Sequence, residues 1–136
     1  MVRNIDEAAA FAANWWANRV DSPTFDNGMY DKQGRFASSL ASALTVPFLP
    51  VVRDKFKEIC IKRVTEELKK NGYVSLDSDY APEGVLCEIM KESGAPTDNS
   101  PWKTSMYICK AGSYSDETPY YRIKVKCGYG DPMNEI

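Results

Sequence analysis

Apolar residues along this chain recur first at helical and later at strand spacing, and that change of period divides it. Asn4 followed by Glu7 reads as a helix N-cap with an acid at the third position. The alanine-rich run from Ile5 to Val20 then predicts a helix with Ala8, Phe11, Ala12 and Trp15 on one face. Trp16 lies about 100° round from Trp15, so one indole is expected in the core and the other at an edge. Asp21 to Gly34 reads as a loop, with Pro23, Gly28 and Gly34. From Arg35 to about Leu44, Phe36, Leu40 and Leu44 repeat with small residues between them, which predicts a short helix in close contact with a neighbour.

Pro47 and Pro50 interrupt the chain, and Pro50 is placed to open the next helix. There Val52, Phe56, Ile59, Cys60, Val64 and Leu68 form one apolar stripe against an arc of lysines and acids. Asn71-Gly72 supplies its stop, with Lys69 and Lys70 suited to the negative end of the helix dipole. Strand alternation follows in Tyr73 to Ser78, in Lys103 to Lys110 and most cleanly in Tyr120 to Cys127, where Tyr121, Ile123, Val125 and Cys127 are expected to face inward. Between the first two of these, Pro82 is expected in the first turn of a helix carrying Val85, Leu86, Ile89 and Met90 and ended by Gly94, with Ala95 to Pro101 turn-rich.

The class predicted is α+β: several N-terminal helices packed on a small three-stranded sheet that ends in an antiparallel hairpin through Ala111 to Pro119. A right-handed crossover is expected to set the first two strands parallel. One domain, 1–136, is expected, helical over about 4–70 and mixed over about 73–130. One sheet face is expected to stay wet, and the exposed sheet edges suit self-association into a homo-oligomer or strand addition by a partner.

Composition narrows the chemistry. The 136 residues contain no histidine, so Ser-His and Cys-His nucleophile pairs and imidazole metal ligands are excluded. Net charge is −2, from 17 basic and 19 acidic residues, too balanced for the field that draws a protein onto nucleic acid, and direct nucleic-acid binding is not expected. Four cysteines, Cys60, Cys87, Cys109 and Cys127, show no close pairs of the zinc or redox kind and are expected reduced and mostly buried. No apolar stretch is long enough to span a bilayer, and acids stand where a secretory signal would be apolar, so a cytoplasmic protein without a membrane partner is expected.

Candidate contact residues concentrate in the last third. Pro101-Trp102-Lys103-Thr104-Ser105 and Cys127-Gly128-Tyr129-Gly130-Asp131-Pro132 combine aromatic, cationic and glycine positions. Trp102, Tyr107, Tyr120 and Tyr129 offer flat surfaces, Lys103 or Arg122 an anion partner, and Gly128 and Gly130 exposed backbone amides. A pocket for a nucleotide-like ligand is one reading of this set; half-buried tyrosines at a glycine-rich strand exit is the plainer one. Arg122, Lys124 and Lys126 make a basic stripe, ordinarily a solvated face, with Asp116 and Glu117 in the hairpin loop before it. Asp77 and Asp79, with Glu83 and Glu88 nearby, have the chemistry for a divalent cation or an acid-base pair, but read first as strand-end and helix-start residues. Asp26 and Asn27 lie in Phe25-Asp26-Asn27-Gly28, chiefly a helix connection and secondarily a contact loop. No catalytic residue, metal ligand or cofactor is assigned.

Asn14-Trp15-Trp16-Ala17, Phe25-Asp26-Asn27-Gly28, Asp79-Tyr80-Ala81-Pro82-Glu83-Gly84, Pro101-Trp102-Lys103-Thr104 and Gly128-Tyr129-Gly130-Asp131-Pro132, in this order, resemble segments of small phage and mobile-element proteins of Firmicutes. In that family an acid follows Asp-Asn-Gly, whereas Met29 stands here, which weighs against a metal or phosphate role for the loop. The resemblance implies an anti-CRISPR-like accessory protein of a phage or prophage, not an enzyme, that inhibits a host defence protein by surface binding in the host cytoplasm. The alternatives are a nucleotide-signal sponge and, behind it, a small metal-dependent enzyme.

Overall fold

The computed structural model describes residues 1–112 and 118–136. Helix α1 spans Ile5–Asp21. Its cap is reciprocal: Asn4 Oδ1 accepts from the Glu7 N–H at 2.9 Å, and Asn4 Nδ2 donates to Glu7 Oε1 at 2.9 Å. Ala8, Ala9, Ala12, Ala13 and Ala17 are buried, so small side chains let α1 lie close along helix α3, Pro50–Asn71. In α3 proline takes the first turn and Gly72 closes the end at φ 79°, a left-handed conformation that glycine adopts without Cβ strain. Phe56, Cys60, Val64 and Leu68 are fully buried, with Val52 and Ile59 partly so, which bears out the predicted stripe. Trp16 is the core indole, and Trp15 sits at the edge under the Arg19 guanidinium, 4.4 Å from its ring.

The sheet is antiparallel throughout, in the order β2-β1-β3-β4-β5: β1 Tyr73–Ser78, β2 Pro82–Glu83, β3 Thr104–Lys110, β4 Tyr121–Cys127 and β5 Asn134–Glu135. The three expected strands are its centre, widened by a two-residue strand on each side. The expected parallel crossover is not formed. After helix α4, Gly84–Ser93, the chain returns to the end of β1, where the Lys103 N–H donates to Asp79 O at 2.8 Å. With β3 starting where β1 stops, the two must run in opposite directions.

Pro82 belongs to β2 and not to the helix: the Asp79 N–H bonds to Ala81 O and folds Pro82 back onto Ser78. A residue without an N–H is tolerated on such an edge. On the other side β4 is paired by Arg3, which exchanges backbone bonds with Tyr121 at 2.9 and 2.8 Å, and by the chain end, where Ile136 N–H reaches Ile123 O at 2.9 Å beside β5. Val74, Leu76, Met106, Ile108, Tyr121 and Ile123 bury the inner face in the helical core, while Ser75, Tyr107, Arg122 and Lys124 stand on the outer, wetter face. No helix among the described residues is long and apolar enough to cross a membrane.

Helix α2, Lys32–Ala43, departs furthest from expectation. It begins three residues before Arg35, because Asp31 Oδ1 accepts the Gly34 N–H at 2.8 Å and caps it. A Cβ at Gly34 would stand 2.2 Å from Met29 O, so only glycine fits there. The inward face is made of Gly34, Ala37, Ser38 and Ala41, and the Ser38 hydroxyl donates to Phe25 O at 2.7 Å. Consequently Phe36, Leu40 and Leu44, expected against a neighbour, are 69%, 51% and 56% exposed. The cysteines also depart: Cys60 alone is buried, Cys87 and Cys109 are half-buried, and Cys127, expected inward, is exposed where the sheet ends.

Candidate functional site

The backbone at the start of β3 is unusual. Lys103 has φ 54°, the left-handed region that a non-glycine residue enters at a cost of about 1–2 kcal/mol. Its surroundings hold it there. The Lys103 N–H bonds to Asp79 O, Gly128 N–H donates to Lys103 O at 3.0 Å, and Nζ pairs with Asp79 Oδ1 at 2.5 Å while lying 4.5 Å over the Tyr80 ring. The Asp79 hydrogen bond raises the Lys103 ammonium above its ordinary pKa. Just before it, Trp102 is fixed by its N–H to Thr24 O at 2.9 Å and by edge-to-face contacts with Phe25 at 5.4 Å and Tyr80 at 5.0 Å. Behind this corner the buried Ser78 hydroxyl bonds to the Ser100 hydroxyl and to Pro101 O.

Several candidates meet at this corner. Asp26 Oδ1 accepts the Gly28 N–H at 2.9 Å, and the buried Asn27 accepts the Met29 N–H at 2.8 Å, two side-chain turns in succession. A Cβ on Gly28 would stand 2.1 Å from the Tyr129 ring, and one on Gly128 would stand 3.3 Å from the Asp26 carboxylate. Asp26, Asn27, Trp102, Lys103, Gly128 and Tyr129 thus form one neighbourhood, with Gly130 beyond it at φ 78°. Thr104 is buried and its hydroxyl donates to Trp102 O at 3.0 Å, so it braces the corner from inside.

The other candidates lie elsewhere. Tyr107 packs against Tyr73 on the outer sheet face, centroids 6.2 Å apart. Tyr120 lines a hollow with Asn4 and Ile5 at the start of α1. Arg122 is engaged by Glu135 at 2.8 Å, a bond that pulls the Glu135 carboxyl below its ordinary pKa. The flat surfaces expected to share one nucleotide pocket are therefore dispersed. Asp116 and Glu117 fall outside the described residues.

Two hollows flank Trp102 and Lys103. A polar cleft of about 340 Å³ is lined by Asp77, Asp79, Glu83, Lys103, Ser105 and Lys126. Glu88 is drawn off by Arg63 at 2.6 Å, and among the described residues no group of three or more His, Cys, Asp or Glu is placed to hold a metal ion. An apolar groove of about 230 Å³ runs between α2 and the β1–β2 turn, lined by Phe25, Leu44, Tyr80, Pro82, Asp98 and Trp102.

Phe25, Tyr80 and Asp98 were not among the sequence candidates, and neither was Asn99. The buried Asn99 accepts the Val46 N–H at 2.9 Å and donates to Val46 O at 2.7 Å and Val20 O at 3.0 Å, fastening the groove wall to α1. A buried-polar signal of this kind has no local pattern in sequence. No family model matches the chain, and neither the curated proteins nor the solved structures contain a match.

Proposed function

We propose that this chain is a protein-binding inhibitor: a phage or prophage accessory protein that occupies a surface of a host defence component in the bacterial cytoplasm, in the manner of an anti-CRISPR, without catalysis. The observation that carries the reading is the outward face of α2. Phe36, Leu40 and Leu44 point to solvent from a helix whose small-residue side is already packed, and exposed Met29, Tyr30, Leu49 and Val51 lie just before and after it in the chain. A row of exposed apolar side chains on one helix suits an interaction site, and its burial would yield about 25 cal/mol per Å² before the costs of association. The resemblance to small phage and mobile-element proteins supplies the class of partner.

The test is capture of tagged protein from lysates of bacteria carrying active defence systems, run beside Leu40→Glu. The expected result is one stoichiometric defence protein, retained by the parent and lost by the variant, whose purified activity falls to background at equimolar inhibitor. An empty capture, or one indifferent to Leu40→Glu, overturns the reading.

A further inference from the structure

We infer that the groove beside Trp102 receives a single apolar side chain from a peptide segment whose neighbouring residue is Lys or Arg, the cation pairing with Asp98. This deepens the reading above and rests on it for the identity of the partner, but not for the chemistry of the groove.

At about 230 Å³ the groove is smaller than the usual pocket for a cofactor or drug-sized ligand, roughly 300–1,000 Å³, and is of a size for one side chain. Its aromatic wall is already rigid. Phe25 and Tyr80 pack edge-to-face with the Trp102 indole, and the Thr24 carbonyl and the left-handed Lys103 fix its backbone, so little side-chain freedom remains to be lost on binding. Leu44 belongs both to this groove and to the exposed row of α2, which makes the two one continuous surface.

Charge selects the neighbour. Asp98 lines the groove, is exposed and has no ion-pair partner among the described residues, whereas Glu83, next to Pro82 in the chain, belongs to the polar cleft with Lys126. Of the two cations in that cleft, Lys103, the one beside Trp102, is committed to Asp79. On α2 the nearest cation in sequence to Leu44 is Arg35, nine residues away and so about 13 Å along the helix, beyond a Debye length of about 8 Å at physiological salt. Asp98 is therefore the charge at the mouth, and it attracts a basic flank and repels an acidic one.

Two peptides test this by titration into ¹⁵N-labelled protein: acetyl-Lys-Arg-Leu-Leu-Arg-amide and acetyl-Glu-Glu-Leu-Leu-Glu-amide. The basic peptide should give saturable shifts at the Trp102 indole N–H, Tyr80 and Leu44, bind about tenfold more tightly than the acidic one, and weaken severalfold when salt is raised from 0.05 to 0.5 M. Asp98→Lys, an exposed change, should reverse the preference, and Leu44→Glu should abolish the shifts while the rest of the spectrum stays folded. Equal binding of both peptides, shifts on the Arg122–Lys124 face, no shift at millimolar peptide, or shifts reproduced by raising protein concentration alone would overturn the inference. The titration contains no host protein. Its failure would leave capture through Leu40 standing, and an empty capture beside a successful titration would remove the defence reading and keep the groove.

Discussion

Helices α2 and α3 carry the same pattern and meet opposite fates. In α3, Phe56, Cys60, Val64 and Leu68 recur every fourth residue and are buried; in α2, Phe36, Leu40 and Leu44 recur at the same interval and face solvent. The difference lies in what stands opposite. The alanine face of α1 leaves room for large side chains from α3, whereas α2 docks through Gly34, Ala37, Ser38 and Ala41 and turns its large side chains outward. Periodicity defines a face of a helix, and only the rest of the fold decides whether the same chain covers it.

The largest expected effect separates the two rows directly. Phe56→Ala should lower unfolding free energy by about 3–5 kcal/mol in urea titrations, through lost burial and a residual cavity, whereas Phe36→Ala should stay within about 0.5 kcal/mol. Equal losses would mean that α2 is covered in solution. Next, Asn99→Ala should cost about 2–3 kcal/mol by leaving the Val20 and Val46 carbonyls without their donor. Because those bonds join α1 to the segment that follows α2, amide exchange should accelerate between Asp21 and Pro50 more than in α3.

A smaller effect is expected at the contact loop. Gly28→Ala forces a Cβ against the Tyr129 ring at φ +75° and should cost about 1–2 kcal/mol, with chemical-shift changes spread over Asp26–Met29 and Gly128–Gly130 rather than along α3. The smallest concerns β5. The Glu135 pKa is lowered chiefly by the Arg122 hydrogen bond, so its contribution is present above the ordinary glutamate range and is lost as pH falls through the lowered value. Protection of the Ile136 amide should fall in the parent as pH drops through that range, whereas Arg122→Gln should be loosened already at neutral pH and change little further on acidification; a parent indifferent to pH would remove the role of the pair.

What was legible in the sequence was what short-range chemistry controls. The Asn4 cap, Pro50 at the start of α3, Gly72 and Gly94 at helix ends and the alternation in β3 and β4 each depend on a few adjacent residues. Strand direction was not legible, because the antiparallel course of β3 is set by a Lys103–Asp79 bond between residues far apart in the chain, and β2 and β5 are too short to carry a period. At the site, Trp102, Lys103, Gly128 and Tyr129 were readable as residue types suited to contact. That Asp26 and Gly28 would close on Gly128 and Tyr129 was not, since two loops about a hundred residues apart meet only once the sheet is built. Tyr107 and Arg122 stand on the outer face of the sheet, away from the buried Thr104, so residue types suited to one pocket do not share one place.

The burial of Cys60 makes this chain its own clock. Deep in the α3 stripe its thiol is pushed up to about 12, so almost no thiolate exists at neutral pH and no reagent can reach it, whereas Cys127 lies open at the end of β4. A thiol reagent should therefore modify Cys127 at once, Cys87 and Cys109 more slowly, and Cys60 only when the core opens. The rate of that last addition reads the frequency of global opening without any label being introduced.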